Sequence, residues 1–176
     1  MIGHHVTTGL VAGALLAGCG SYQTRPVAGR SYPGPTANHG VVCVVRAGTN
    51  EDNSERTVPV WDNGVLVGAT RGASHFCYLA TPGPHVVVSE LLLTARLDVD
   101  VMPEERRWIE QEVGMSSYRY AGRRLQESVS LREISAADAQ PLFTRTRRVE
   151  LFEVPAGERL PAGGAVHSFA SRPEGQ

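Results

Sequence analysis

The sequence predicts an all-β fold, a small antiparallel β-sandwich followed by one short C-terminal helix. Three observations carry that expectation. Short apolar runs recur about every 8 to 12 residues across positions 40–154, set off by Gly, Pro, Asn and Asp, the rhythm of strands in sandwiches and barrels. Leu97, Val99 and Val101 alternate with Arg96, Asp98 and Asp100, so one side of that segment is apolar and the other charged, as in a half-buried strand. Asp62-Asn63-Gly64 joins two apolar runs through residues that tolerate positive φ, the strongest hairpin signal in the chain.

Residues 1–18 read as a lipoprotein signal peptide. Positions 6–18 are rich in Ala, Leu and Gly and end in Leu16-Ala17-Gly18-Cys19, the layout of a lipobox. Small residues at Ala17 and Gly18 let the backbone enter a peptidase site, and the Cys19 thiol is the group that takes up lipid. A helix of about 13 apolar residues spans only about 20 Å, against a hydrocarbon core of about 30 Å, so a membrane-spanning anchor fits poorly. His4 and His5 stand where such signals usually carry Lys or Arg. The mature chain is expected to start at Cys19 and to sit on a membrane through acyl chains, which anchor stably when two or more are present. Gly20 after the cysteine resembles the signal for onward transfer, so the expected place is the outer membrane, facing the periplasm.

Residues 19–39 are rich in Gly, Pro, Ser and Thr and are expected to form an acylated flexible tether, reaching about 25 Å from the lipid. Residues 40–154 hold the sandwich. Its first strand is the continuous run Val41-Val42-Cys43-Val44-Val45, the pattern of a strand buried on both faces. Residues 58–61 and 65–69 make the hairpin, and strands are expected at 74–80, 86–93, 96–101, 107–113 and, as one long element, 124–134. Ser135 and Asp138 form a capping box for a helix that Pro141 keeps short or broken. Residues 155–176 are expected to be a disordered tail.

This order of pieces resembles a family of small bacterial lipoproteins of unknown function with a PEGA-like, transthyretin-like β-domain. The residues that carry the resemblance are the strand at 41–46, the hairpin Val60-Trp61-Asp62-Asn63-Gly64-Val65-Leu66-Val67-Gly68, and the aromatic strand through Phe76 and Tyr78 into Pro82-Gly83-Pro84-His85. Arg107-Trp108-Ile109 and the closing segment 131–139 complete it. The resemblance covers residues 40–145 and implies a lipoprotein with this β-fold; it brings no catalytic residues.

The chain has 176 residues, 41% hydrophobic and 20% charged, enough for one domain and its tails. With 17 basic and 18 acidic residues its net charge is -1, which gives no field to draw nucleic acid, and no nucleic-acid partner is expected. Cys43 and Cys77 both lie in predicted strands. An oxidising compartment favours a disulfide between them, closing a loop of about 34 residues for roughly 3 to 4 kcal/mol; the alternative is two separate buried thiols. No pair among His39, His75, His85 and His167 has zinc spacing, though His75 and His85 can meet across a hairpin, and neither metal nor cofactor is expected. Glu51-Asp52-Asn53-Ser54-Glu55 lacks the spacing of a calcium loop. Asp98/Asp100 and Glu110/Glu112 put carboxylates on one face of a strand, which alternation alone explains as a solvent face. There is no nucleophile elbow, zinc helix or phosphate-cradling loop. The expectation is a non-enzymatic envelope protein that scaffolds or binds another envelope protein, or else a glycan- or small-ligand-binding module. Arg145, Arg147 and Arg148, a local basic cluster, and Tyr118 and Tyr120, in a Gly-, Ser- and Arg-rich stretch, are the candidate partner contacts.

Overall fold

The structure, a computed structural model, describes residues 21–28, 31–48, 56–114, 118–120, 123–125 and 128–168. The first eight strands are β1 (Gln23–Pro26), β2 (Gly40–Arg46), β3 (Thr57–Asp62), β4 (Val65–Arg71), β5 (Ser74–Ala80), β6 (Gly83–Glu90), β7 (Thr94–Val101) and β8 (Arg106–Gly114), of which β2 to β8 follow apolar runs or alternation in the sequence. They are followed by β9 (Tyr118–Tyr120), β10 (Arg123–Leu125), β11 (Ser128–Ile134), the helix α1 (Ala136–Arg145) and β12 (Arg147–Glu153). Two sheets result, in the orders β1-β12-β5-β2-β8-β11 and β4-β3-β6-β7, with β9 and β10 forming a separate ribbon. The fold is thus an all-β sandwich with one short helix near its C-terminal end.

Each sheet contributes the apolar side of its pleat to one core. Val42 and Val44 of β2, Phe76 and Tyr78 of β5 and Ile109 of β8 meet Val60, Val67, Val87, Val99 and Val101 of the facing sheet. Burying each such side chain is worth about 1.5 to 3 kcal/mol. Every residue of β2 is buried, because α1 covers its other face: Val45 packs with Ile134, Ala139, Trp108 and Phe143. Inside the core Gln111 of β8 joins the sheets, accepting a hydrogen bond from Thr70 of β4 and donating to Ser89 Oγ of β6 at 2.6 Å. Ser89 in turn donates to the Pro59 carbonyl of β3 at 3.0 Å.

Several expectations need correction. The sandwich is not purely antiparallel, since β2 pairs with β8, and β5 with β12, in parallel. Parallel neighbours need a long crossover, and here the chain goes to the second sheet and back twice, through β3–β4 and then β6–β7, before β8 is laid down. The long strand over 124–134 is two strands, of which β10 turns away to pair with β9. The run 86–93 stops as a strand at Glu90, and Leu92 and Leu93 are exposed in the turn to β7. The tether and tail also enter the fold. Gln23–Pro26 pairs with β12, and Val166 is buried and bridged to Ala80, so backbone pairing with existing strands supplies the order that their own composition does not.

Candidate functional site

The turn that the sequence marks most clearly also organises the site. Asn63, at φ 49°, and Gly64, at φ 79°, both sit in the left-handed region, as the Asn-Gly hairpin requires. That turn holds Asp62 against His85, at the start of β6, with His85 Nδ1 2.9 and 2.8 Å from the two carboxylate oxygens. The other ring nitrogen, Nε2, lies 2.8 Å from the Thr81 carbonyl. Both nitrogens therefore have an acceptor within reach, which a protonated imidazole satisfies with its two N–H groups, while Asn63 Nδ2, a donor, also lies 3.4 Å from Nδ1. Burial alone would lower the His85 pKa, but the hydrogen bond and charge of Asp62, the Thr81 carbonyl and Asp100 outweigh it and raise it above the ordinary 6.5. Neither side chain has any exposed surface. An Asp–His pair in an open cleft is a candidate for proton transfer; this one is out of reach of any substrate and works as a clamp between two turns.

The clamp extends to the C-terminal segment. Asn63 Oδ1 accepts from Val86 N at 2.9 Å while Nδ2 donates to His167 O at 2.8 Å. Val166 N donates to Leu79 O at 2.9 Å, Thr81 N donates to Val166 O at 2.8 Å, and Ser168 N donates to Thr81 Oγ1 at 2.8 Å. Residues 161–168 are thereby strapped across the end of β5. Beneath the phenol-bearing face of that strand, Tyr78 OH is buried with no hydrogen-bond partner among the described residues, and burial first, then Asp62, holds its pKa well above 10.

Between the strap and the start of β12 a groove opens. β12 pairs with β5 only at Ser74 and His75, then leaves to pair with β1. On the strap side of this edge lies a space of about 650 Å³, within the usual range of ligand sites, walled by β4, β5 and the strap, with Val65, Leu66, Val67, Leu79, Pro161 and Val166 among its residues. A smaller hollow of about 210 Å³ continues past Phe76 to Leu151 and Arg148. Cys77 borders both.

Cys77 is bonded to Cys43, directly opposite it on β2, with Cα atoms 4.1 Å apart. The two residues are a non-hydrogen-bonded pair of the antiparallel ladder, the position at which facing side chains come closest. The other candidate residues are scattered. Cys19 lies outside the described residues, as do Glu51, Asp52, Asn53, Ser54 and Glu55. Tyr118 and Tyr120 sit on β9, paired with Leu125 and Arg123. Arg145 ends α1 and donates to Pro141 O at 3.0 Å. Arg147 and Arg148 are neighbours on β12, so they point to opposite faces and form no single basic patch. The Arg148 guanidinium lies 4.0 Å from the centre of the Tyr32 ring.

His75 and His85 do not meet. His75 sits against Phe143, 4.2 Å between ring centres, with Nδ1 2.7 Å from Thr146 Oγ1. Among the described residues no three His, Cys, Asp or Glu side chains gather as a metal site would require. Glu110 and Glu112 both approach Arg132, and Asp98 pairs with Arg96, so these carboxylates serve strand faces. The sequence reading missed the Asp62–His85 clamp, whose partners lie 23 residues apart and show no motif, and the groove, which depends on where β12 leaves the sheet. Comparison with known proteins finds no family model, no curated protein and no solved structure that matches this chain.

Proposed function

We propose that the chain is a non-enzymatic bacterial envelope lipoprotein, held on a membrane by acyl chains on Cys19, whose sandwich binds another envelope protein. The lipobox Leu16-Ala17-Gly18-Cys19, and an order of sequence segments that resembles small PEGA-like lipoproteins, support this reading of the address and the class. A single structural observation carries the binding role: β5 is paired on one side along its whole length and on the other only at its two ends, leaving an interrupted strand edge that faces a groove. Uncompleted strand edges are where proteins add a partner's strand.

A second reading, a small-ligand module, draws on the volume of the same groove. Its walls are largely aliphatic, which favours an apolar ligand over a glycan, because glycan sites offer aromatic faces for stacking.

The test is photocrosslinking in the native envelope, with the full lipoprotein carrying the crosslinker at Val65, an exposed residue on the groove. A tethered, unrelated sandwich is the control. The expected result is one discrete protein adduct absent from the control. Glycan or lipid adducts without protein would overturn the scaffold reading in favour of the ligand module.

A further inference from the structure

We infer that the groove is a one-strand slot that takes an extended, uncharged aliphatic segment of the partner, read by the backbone N–H and C=O of Cys77. The inference rests on the protein-binding reading above and specifies where and how that binding occurs.

Backbone groups of a strand alternate between its two edges. On β5 the outer edge is identified by its hydrogen bonds: Ala73 O accepts from Arg147 N, and Leu79 O and Thr81 N pair with Val166. Residues 73, 79 and 81 share one parity, so Cys77 turns its N–H and C=O to that same edge. Between the β12 bridge at His75 and the strap at Leu79, no described residue pairs with Cys77 there. Buried backbone groups are nearly always paired, by protein, water or ligand. Here the pair opens on the groove, and Cys77 itself is only half-buried. The gap covers about four residues of strand, or about 13 Å at 3.3 Å per residue, which is room for a short extended segment.

The chemistry of the walls selects the segment. The lining of the larger groove, on the strap side of Cys77, contains no Arg, Asp or Glu, so a charged side chain entering it would lose its hydration without gaining a partner; Arg148 and Glu150 line only the smaller hollow on the β12 side. Val67, Leu79 and Val166 offer contacts for small aliphatic side chains on the two sides of a strand. The disulfide to Cys43 fixes the open stretch of β5 and Asn63 holds the strap at one border of the slot, so little ordering is left for binding to perform.

The test uses the isotope-labelled mature full-length chain in detergent and, as probe, a blocked tetrapeptide alternating alanine and valine. The expected result is a saturable NMR shift of the Cys77 amide and its groove neighbours. N-methylation of the peptide along one edge should weaken binding about fivefold, the effect of one hydrogen bond, while methylation along the other edge leaves it unchanged. Val65→Arg, at an exposed rim position that does not disturb the core, should abolish the shift. Equal affinity of the two methylated peptides, shifts produced by palmitate and not by the peptide, or no shift at Cys77 would each overturn the slot. If Val65→Arg loses the tetrapeptide but the photocrosslinked envelope partner, captured from a second crosslinker at Leu92, is retained, the slot is wrong and the protein-binding reading stands.

Discussion

Two buried histidines titrate in opposite directions, and the sign of each follows from its neighbours. His75 is pushed down from 6.5 to about 4, by burial first and by Arg148 second, so the folded chain keeps it neutral. The unfolded chain binds that proton near pH 6.5. Stability is therefore present above pH 6.5 and lost as pH falls towards 4, by up to about 3 kcal/mol. His85 is raised above 6.5 because Asp62, the Thr81 carbonyl and Asp100 outweigh its burial. Its contribution is complete below pH 6.5 and is lost as pH rises through the raised value. The urea midpoint should thus fall on both sides of a maximum just above pH 6.5, with His75→Gln flattening the acid limb and His85→Gln the alkaline one. An acid limb unchanged in His75→Gln would refute the assignment. None of this was legible from spacing. A histidine reads as a surface residue until its neighbours are known, and those neighbours come from Thr146, Phe143 and Arg148 on one side and from Asp62 and Thr81 on the other.

At the scale of elements, Asn63 does more than turn a hairpin. It accepts positive φ, caps the start of β6 through Val86 N, and ties the strap through His167 O. Asn63→Ala should cost about 2 to 4 kcal/mol in urea unfolding, the sum of the left-handed strain and two hydrogen bonds. It should also raise hydrogen exchange at the Val166 amide more than at Val44, because the strap loosens before the core. Ser135 is a simpler case: its hydroxyl accepts from Asp138 N at 3.2 Å, so Ser135→Ala should cost about 1 kcal/mol and leave the sheets unchanged by circular dichroism. Both features were visible in the sequence because turn and cap chemistry is local. So were β2 to β8, whose apolar runs or alternation suffice to define them. β1 and β12 were not, since Gln23–Pro26 has no apolar run and the short alternation of Val149 and Leu151 is flanked by Arg and Glu. They are strands because β5 offers an edge to β12, and β12 then offers one to β1. The groove was hidden for the same reason, since it exists only where that borrowed pairing ends.

For the whole molecule, the covalent features separate fold from address. The Cys43–Cys77 bond spans 34 residues and staples the two strands at the centre of the six-stranded sheet. Cys43→Ala with Cys77→Ala should lower stability by roughly 3 to 4 kcal/mol in the chain-entropy model, read as a fall in the urea midpoint with the same slope. Cys19 lies outside the described residues. If it is the lipid acceptor, Cys19→Ser should block acylation and cleavage together, so the precursor keeps residues 1–18 and gains no acyl mass. The sandwich of that precursor, once exported, should still be oxidised. Intact mass without reductant is the measurement, and it should give the uncleaved polypeptide with no alkylatable thiol, against an acylated mature chain for the parent. A Cys19→Ser chain that is still cleaved and recovered with the membrane would sink the lipoprotein assignment. An uncleaved chain carrying two alkylatable thiols would leave that assignment standing and instead show that the sandwich closes before, or without, the bond that holds Cys77 at the edge of its groove.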